Sequence, residues 1–192
     1  MARTKEFDPE KSLNAAVDVF WRLGYERTSL DDLMGGMGVA RQSLYDTYGD
    51  KRALYLKALE RYRDNRQAAL REAFAGERPV KKAVARLFED LIDESRKQHE
   101  RGCLLLNANI EMAGHDADVA ALVRADEKAV VDILERALRR AKKRGELRGN
   151  KDPEALARFV LATLHGMRTP ARLDHDRKAL KKIAGVALAA LD

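Results

Sequence analysis

The sequence predicts an all-α protein. Three observations carry that expectation: apolar residues recur at helical spacing along nearly the whole chain, only 12 Gly and 4 Pro interrupt 192 residues, and no convincing strand alternation occurs. About nine helices are expected.

Asp8-Pro9 has the form of a helix start, with a carboxylate for the orphan amides and proline at the first helical position. Leu13, Ala16, Val17, Phe20 and Leu23 follow, and Gly24 is a natural stop. In "TSLDDLMGG", Ser29 and Asp32 have capping-box spacing, so a short second helix begins near Leu30. Gly35, Gly36 and Gly38 then predict a tight turn, and a third helix spans roughly Arg41 to Tyr48. Asp50 caps a fourth that runs to about Phe74, with a boundary between modules inside it.

Beyond Pro79, Val80, Val84, Leu87, Phe88 and Leu91 predict a fifth helix, with a break at Gly102. "CLLLNANIEMA" is a short sixth. A long seventh starts near Val119 and ends in the basic run "RRAKKRG", read as a solvated helix end whose cations suit the C-terminal dipole. Asp152-Pro153 starts an eighth helix that stops before Pro170, and "KALKKIAGVALAAL" is the ninth.

Composition sets bounds. The chain carries 37 Lys and Arg against 31 Asp and Glu, a net charge of +6. Basic against acidic residues number 12 to 11 over residues 1–66, 17 to 15 over 67–149 and 8 to 5 over 150–192, so charge alone places no DNA site. A single cysteine, Cys103, permits no internal disulfide or cysteine-based zinc cage. No apolar run has the length of a membrane span, and "MARTKEFDPEK" lacks an apolar signal core, so a cytoplasmic protein is expected. His99, His115, His165 and His175 are scattered, without metal spacing, and no phosphate loop or nucleophile elbow is present. No enzyme, metal or cofactor is expected, and "HDAD" at 115–118 reads as a polar helix start.

Two short helices joined by a glycine turn have helix-turn-helix geometry, with the third helix placed for the major groove. Arg41 can give two hydrogen bonds to guanine, Gln42 can pair with adenine, and Ser43 can serve either, while Leu44 faces the small core. Tyr45 and Tyr48 each offer a ring for packing and a hydroxyl for phosphate. Lys51 sits at one helix start, and Thr28 and Ser29 at another, both natural anion positions. The alternative for the two tyrosines is core packing.

From Thr28 to Leu54, "TSLDDLMGGMGVARQSLYDTYGDKRAL" resembles the DNA-binding signature of TetR-type (TetR/AcrR) transcriptional regulators. The match covers residues 6–66. Ala40 departs from the Ser or Thr usual there and removes a side-chain cap worth about 1 kcal/mol, and Leu33-Met34 replaces the usual Ile-Ala pair. The resemblance implies a helix-turn-helix domain over 1–50, a linking helix over 51–74, and an effector-binding and dimerisation domain over 75–192.

It also implies a ligand-responsive repressor that binds a palindromic operator in double-stranded DNA as a homodimer and is released by a small-molecule effector. The last two helices would pair across a twofold axis through Phe159, Leu164, Leu180, Ile183, Ala184, Ala187 and Leu188. Phe88, Cys103, Asn107, Glu111, Thr163, His165 and Arg168 are the expected effector-pocket residues. "GCLLLN" is similar to a segment of TetR-type regulators that include electrophile and oxidant sensors, and a thiol near a helix start can become reactive; an inert small hydrophobe is the alternative.

Overall fold

The computed structural model describes residues 8–192; the first seven, with most of the polar opening stretch, lie outside the described residues. The described residues form ten helices: α1 (Pro9–Leu23), α2 (Leu30–Met37), α3 (Arg41–Tyr48), α4 (Lys51–Ala75), α5 (Val80–Ile92), α6 (Arg96–Arg101), α7 (Leu104–Glu111), α8 (Ala117–Lys143), α9 (Pro153–Asp174) and α10 (Arg177–Ala189). No strand occurs among the described residues.

The helix beyond the expected nine is α6. Ser95 caps it, accepting from the Gln98 amide while the Gln98 side chain accepts from the Ser95 amide. The S-x-x-Q spacing was a readable signal for it.

The chain folds into two compact units. One holds the residues up to Asn65 together with Cys103–Arg124; the other holds Arg66–Gly102 and Ala125–Asp192. The chain passes between units three times: inside α4, between α6 and α7, and inside α8. The expected division into 1–50, a linking helix over 51–74 and 75–192 keeps residues 103–124 in the later domain, whereas here α7 and the first turns of α8 belong with α1 to α4. Leu104, Leu105, Ala108, Met112, Val119 and Val123 share a core with Phe20, Leu33, Leu44, Leu54, Tyr55 and Leu59.

In the second unit α9 packs on α5, α6 and α10, and α10 also packs on α5. Phe88, Leu134, Leu138, Met167 and Leu180 lie at its centre. Asp126 is also buried there, paired with Arg66 and accepting from Gln67 Nε2 at 2.9 Å, so its charge is compensated.

Most of the basic run at the end of α8 is engaged within its own unit by carbonyls and carboxylates. Arg140 donates to the Phe74 carbonyl at 2.6 Å, Lys142 to the Lys151 carbonyl at 2.8 Å, and Arg144 to Glu146 at 2.6 Å. Proline does not end α9: the helix continues through Pro170 to Asp174. Met167 and Ala171, on either side of the proline, are both buried, and that packing outweighs the missing amide and the ring's conflict with the preceding turn. The chain leaves α9 through His175 in the left-handed region, φ 51°.

Two of the scattered histidines meet in this unit. His99 is buried and its Nε2 lies 2.8 Å from the Leu91 carbonyl, which can only accept. Its Nδ1 faces His175 Nδ1 at 2.7 Å. Among the described residues no group of three or more His, Cys, Asp or Glu could hold a metal ion, and no helix is long and apolar enough to cross a membrane.

Candidate nucleic-acid interface

Local chemistry builds the three-helix module step by step. Asp8 accepts from the Glu10 and Lys11 amides at the start of α1. Ser29 and Asp32 form the expected capping box at α2, and the hydrogen bonds from Ser29 hold the Asp32 carboxyl below its ordinary range. Gly38, φ 66°, closes α2 with its amide on the Met34 carbonyl. Gly35 and Gly36 lie inside α2 and not in the turn. Gly36 has a packing reason, because a Cβ there would sit 2.4 Å from Val19 Cγ2 of α1. Ala40 starts α3 without a side-chain cap, as its sequence implies.

Helix α3 has two faces. Leu44 and Tyr48 turn inward, while Arg41, Gln42 and Tyr45 are exposed and Ser43 is half-buried. Arg41 meets Asp31 at 3.3 Å and Gln42 donates to Asp46 at 2.7 Å. Both pairs are solvated, so exchanging them for base edges costs little.

Two expected phosphate contacts need correction. The Tyr48 hydroxyl lies 2.5 Å from Ser12 Oγ and donates to the Pro9 carbonyl at 2.7 Å. It pins α3 to the start of α1. Thr28 is buried and its hydroxyl donates to the Gly24 carbonyl at 2.5 Å, closing the turn between α1 and α2. Ser29 is exposed, with its side chain engaged in the cap.

Lys51 is held beside this turn. Its ammonium lies 4.4 Å from the Tyr25 ring centroid and 3.5 Å from the Glu26 carbonyl. Tyr25 stacks in turn on Phe20 and meets Tyr55 at a tilt of 45°. Burial first, then the neighbouring Glu26 charge, raises the Tyr25 phenol above its ordinary value. The next residue, Arg52, pairs with Asp116 at 2.7 Å and also with Asp118. Asp116 accepts from the Asp118 and Val119 amides, so "HDAD" is a polar helix start; Arg52 and those amides bring its carboxyl down to about 2.

The expected effector residues fall in both units. Cys103, Asn107 and Glu111 belong to the first unit; Phe88, Thr163, His165 and Arg168 belong to the second. Cys103 is buried at the N-cap of α7. Glu111 accepts from the Tyr25 amide at 3.0 Å and the Glu26 amide at 2.9 Å, a partner set that spacing could not reveal. Thr163 donates back to the Phe159 carbonyl at 2.8 Å, and Arg168 pairs with Glu94. Phe88 is fully buried core. His165 is half-buried, and burial lowers its pKa. A shallow surface cleft in the second unit, lined by Phe74, Arg78, Val80, Ala137, Arg140 and Arg144 among others, includes none of the seven.

The expected dimer residues also separate. Leu180, Ala184 and Ala187 are buried in the chain's own core, and Leu164 and Leu188 are partly buried against it. Phe159 and Ile183 are exposed, as are Leu173 and Val186, which helical spacing alone did not single out. Space around Gly166 and Gly185 is open.

Comparison with known proteins agrees with this architecture. Residues 13–58 match the family model described as bacterial regulatory proteins, tetR family, and residues 80–186 match a tetracyclin repressor-like C-terminal domain. The chain is 37% identical over 194 residues to the uncharacterized HTH-type transcriptional regulator YezE of Bacillus subtilis, covering all of both chains. It is 32% identical to the HTH-type transcriptional repressor ComR of Escherichia coli, over 97% of this chain and 90% of that one. Among solved structures, a cysteine-substituted form of the TetR family regulator CifR bound to a 26-base-pair operator duplex has 28% identity and a TM-score of 0.86, with full coverage of both chains.

Proposed function

This chain belongs to the TetR family of bacterial regulatory proteins, which are DNA-binding regulators and not enzymes, and we propose that it is a repressor that binds a palindromic operator as a homodimer and leaves it when a small-molecule effector binds. The observation that carries the DNA reading is the division of α3. Leu44 and Tyr48 lock the helix to its module while Arg41, Gln42 and Tyr45 stand in solvent with donors suited to base edges. Lys51 and Ser29 flank that face at the starts of α4 and α2 and are assigned to phosphates.

The dimer is assigned to the exposed side of α9 and α10. Phe159, Leu173, Ile183 and Val186 supply apolar area there, and the open positions at Gly166 and Gly185 suit close approach by a second backbone. A twofold axis would set two α3 helices on half-sites of a palindrome. Repression follows the naming of ComR. For the effector, half-buried His165 is the candidate in the second unit, since Phe88 is fully buried core and Thr163 and Arg168 already have partners.

The test is selection of bound duplexes from a random pool at near-physiological salt, where unscreened charge does not imitate specificity. A palindromic consensus that Arg41→Ala and Gln42→Ala relax at defined positions is expected. If the protein enriches no sequence after any co-purified ligand has been removed, the reading is wrong.

A further inference from the structure

Glu111 stands at the end of α7, 85 to 86 positions from the residues it holds. Its two carboxylate oxygens take the successive amides of Tyr25 and Glu26, the first of which follows Gly24 at φ 81°. A Cβ at Gly24 would lie 3.1 Å from both oxygens. The turn between α1 and α2 is thus a small anion-holding concavity of backbone amides, and its occupant is a side chain of α7.

The two residues held are the two that Lys51 touches. Its ammonium sits over the Tyr25 ring and faces the Glu26 carbonyl. The Tyr25 ring is also fixed by Phe20 and Tyr55. A displacement of the turn therefore moves both surfaces that aim Lys51. Arg52, the adjacent residue, is tied independently to Asp116, so the backbone of α4 has its own anchor and the effect of the turn falls on the Lys51 side chain.

We propose that Glu111 is a positioning residue for operator binding: by holding the Tyr25–Glu26 amides it aims Lys51 at the DNA backbone, and any shift of α7 that withdraws the carboxylate weakens that phosphate contact. The proposal rests on the reading of Lys51 as a phosphate anchor. It makes α7 a control element of the DNA-reading unit itself, acting through one carboxylate and one turn.

The experiment is a double-mutant cycle on the duplex that the full-length protein selects from a random pool, with affinity measured across a salt series. Lys51→Ala is expected to weaken binding severalfold and to lower the slope of log affinity against log salt by about one for each phosphate that is no longer neutralised. Glu111→Gln, which keeps shape but replaces one acceptor by a donor, is expected to shift affinity and slope in the same direction. In the Lys51→Ala background it should weaken binding by less than a further factor of about two.

A Glu111→Gln effect that multiplies fully with Lys51→Ala, or a Glu111→Gln protein with unchanged slope, overturns the proposal while leaving the Lys51 reading intact. An unchanged affinity and slope for Lys51→Ala overturns both. Glu111→Asp, which retains the charge and pulls the carboxylate back by one carbon, is measured alongside with thermal melts. It decides the matter by the same criteria if the glutamine variant does not fold.

Discussion

Gly36→Ala should destabilise this protein even though the change removes a glycine from a helix interior. Taken alone, glycine to alanine in α2 gains about 1 kcal/mol of helix propensity. The new methyl, however, would lie 2.4 Å from Val19 Cγ2, well inside the roughly 3.5–4.0 Å of carbon contacts. Val19 is 2% exposed on α1 and β-branched, so it has no free rotamer to take. Overpacking of that kind costs about 1–3 kcal/mol. A shortfall above about 1 Å belongs at the upper end, which leaves a net loss of about 1–2 kcal/mol once the propensity gain is counted.

The sign should reverse in a Val19→Ala background. There the space is vacant, so adding Gly36→Ala should recover about 1 kcal/mol through propensity and filling. The assay is urea unfolding of the four proteins at one fixed concentration, since dimerisation would make midpoints concentration-dependent. A thermal shift of about 2–4 °C per kcal/mol is the companion readout. Stabilisation by Gly36→Ala in the wild-type background, or an equal loss in both backgrounds, would refute the argument that α1 and α2 are set by this approach.

Tyr48→Phe removes the hydroxyl that joins Ser12 and the Pro9 carbonyl, and unfolding should register about 1–3 kcal/mol, with operator affinity unchanged where the protein is folded. Tyr45→Ala should do the opposite, changing stability by about 0.5 kcal/mol or less while weakening the operator complex. Asp116 has its carboxyl held at about 2, below an ordinary value of about 3.9. The stability it contributes is present above the ordinary value and is lost as pH falls from about 4 towards 2, so Asp116→Asn should flatten the acid limb of the unfolding midpoint in that window. Val186→Asp, at the most exposed large apolar side chain of α10, should convert the species seen by sedimentation to monomer without lowering its helical content.

What could be read ahead of the structure was whatever depends on neighbours in the chain. Asp8-Pro9, the Ser29–Asp32 box, the Gly38 turn and Asp152-Pro153 are local devices, each complete within a few residues, and each forms as its spacing implies. The inward face of α3 at Leu44 followed from periodicity. Tyr48 did not, because its partner Ser12 is 36 positions away and the same amphipathic side chain suits both a phosphate and a core. Thr28 failed for a subtler reason: its partner is local, at Gly24, yet a hydroxyl at a helix start has several local options and spacing does not rank them. Pro170 misled because the rule against proline in helices is a cost, and the burial of Met167 and Ala171 exceeds it.

The effector residues show where reading polar interruptions in apolar helices breaks down. Such a residue must find a partner, and a ligand is only one choice. Thr163 takes a carbonyl four positions back, Arg168 takes Glu94, and Glu111 takes two amides of the first turn. The first of these was foreseeable from helix geometry alone. The other two were not, since their partners stand 74 and 86 positions away in the chain. The consequence for regulation is physical. A ligand aimed at Arg168 or Glu111 must displace a charge-assisted contact already made, and its binding energy would be partly consumed in doing so. For Glu111 that displacement would itself free the turn beside Lys51, so an anion acceptor competing for those amides and a loss of operator affinity would be one event.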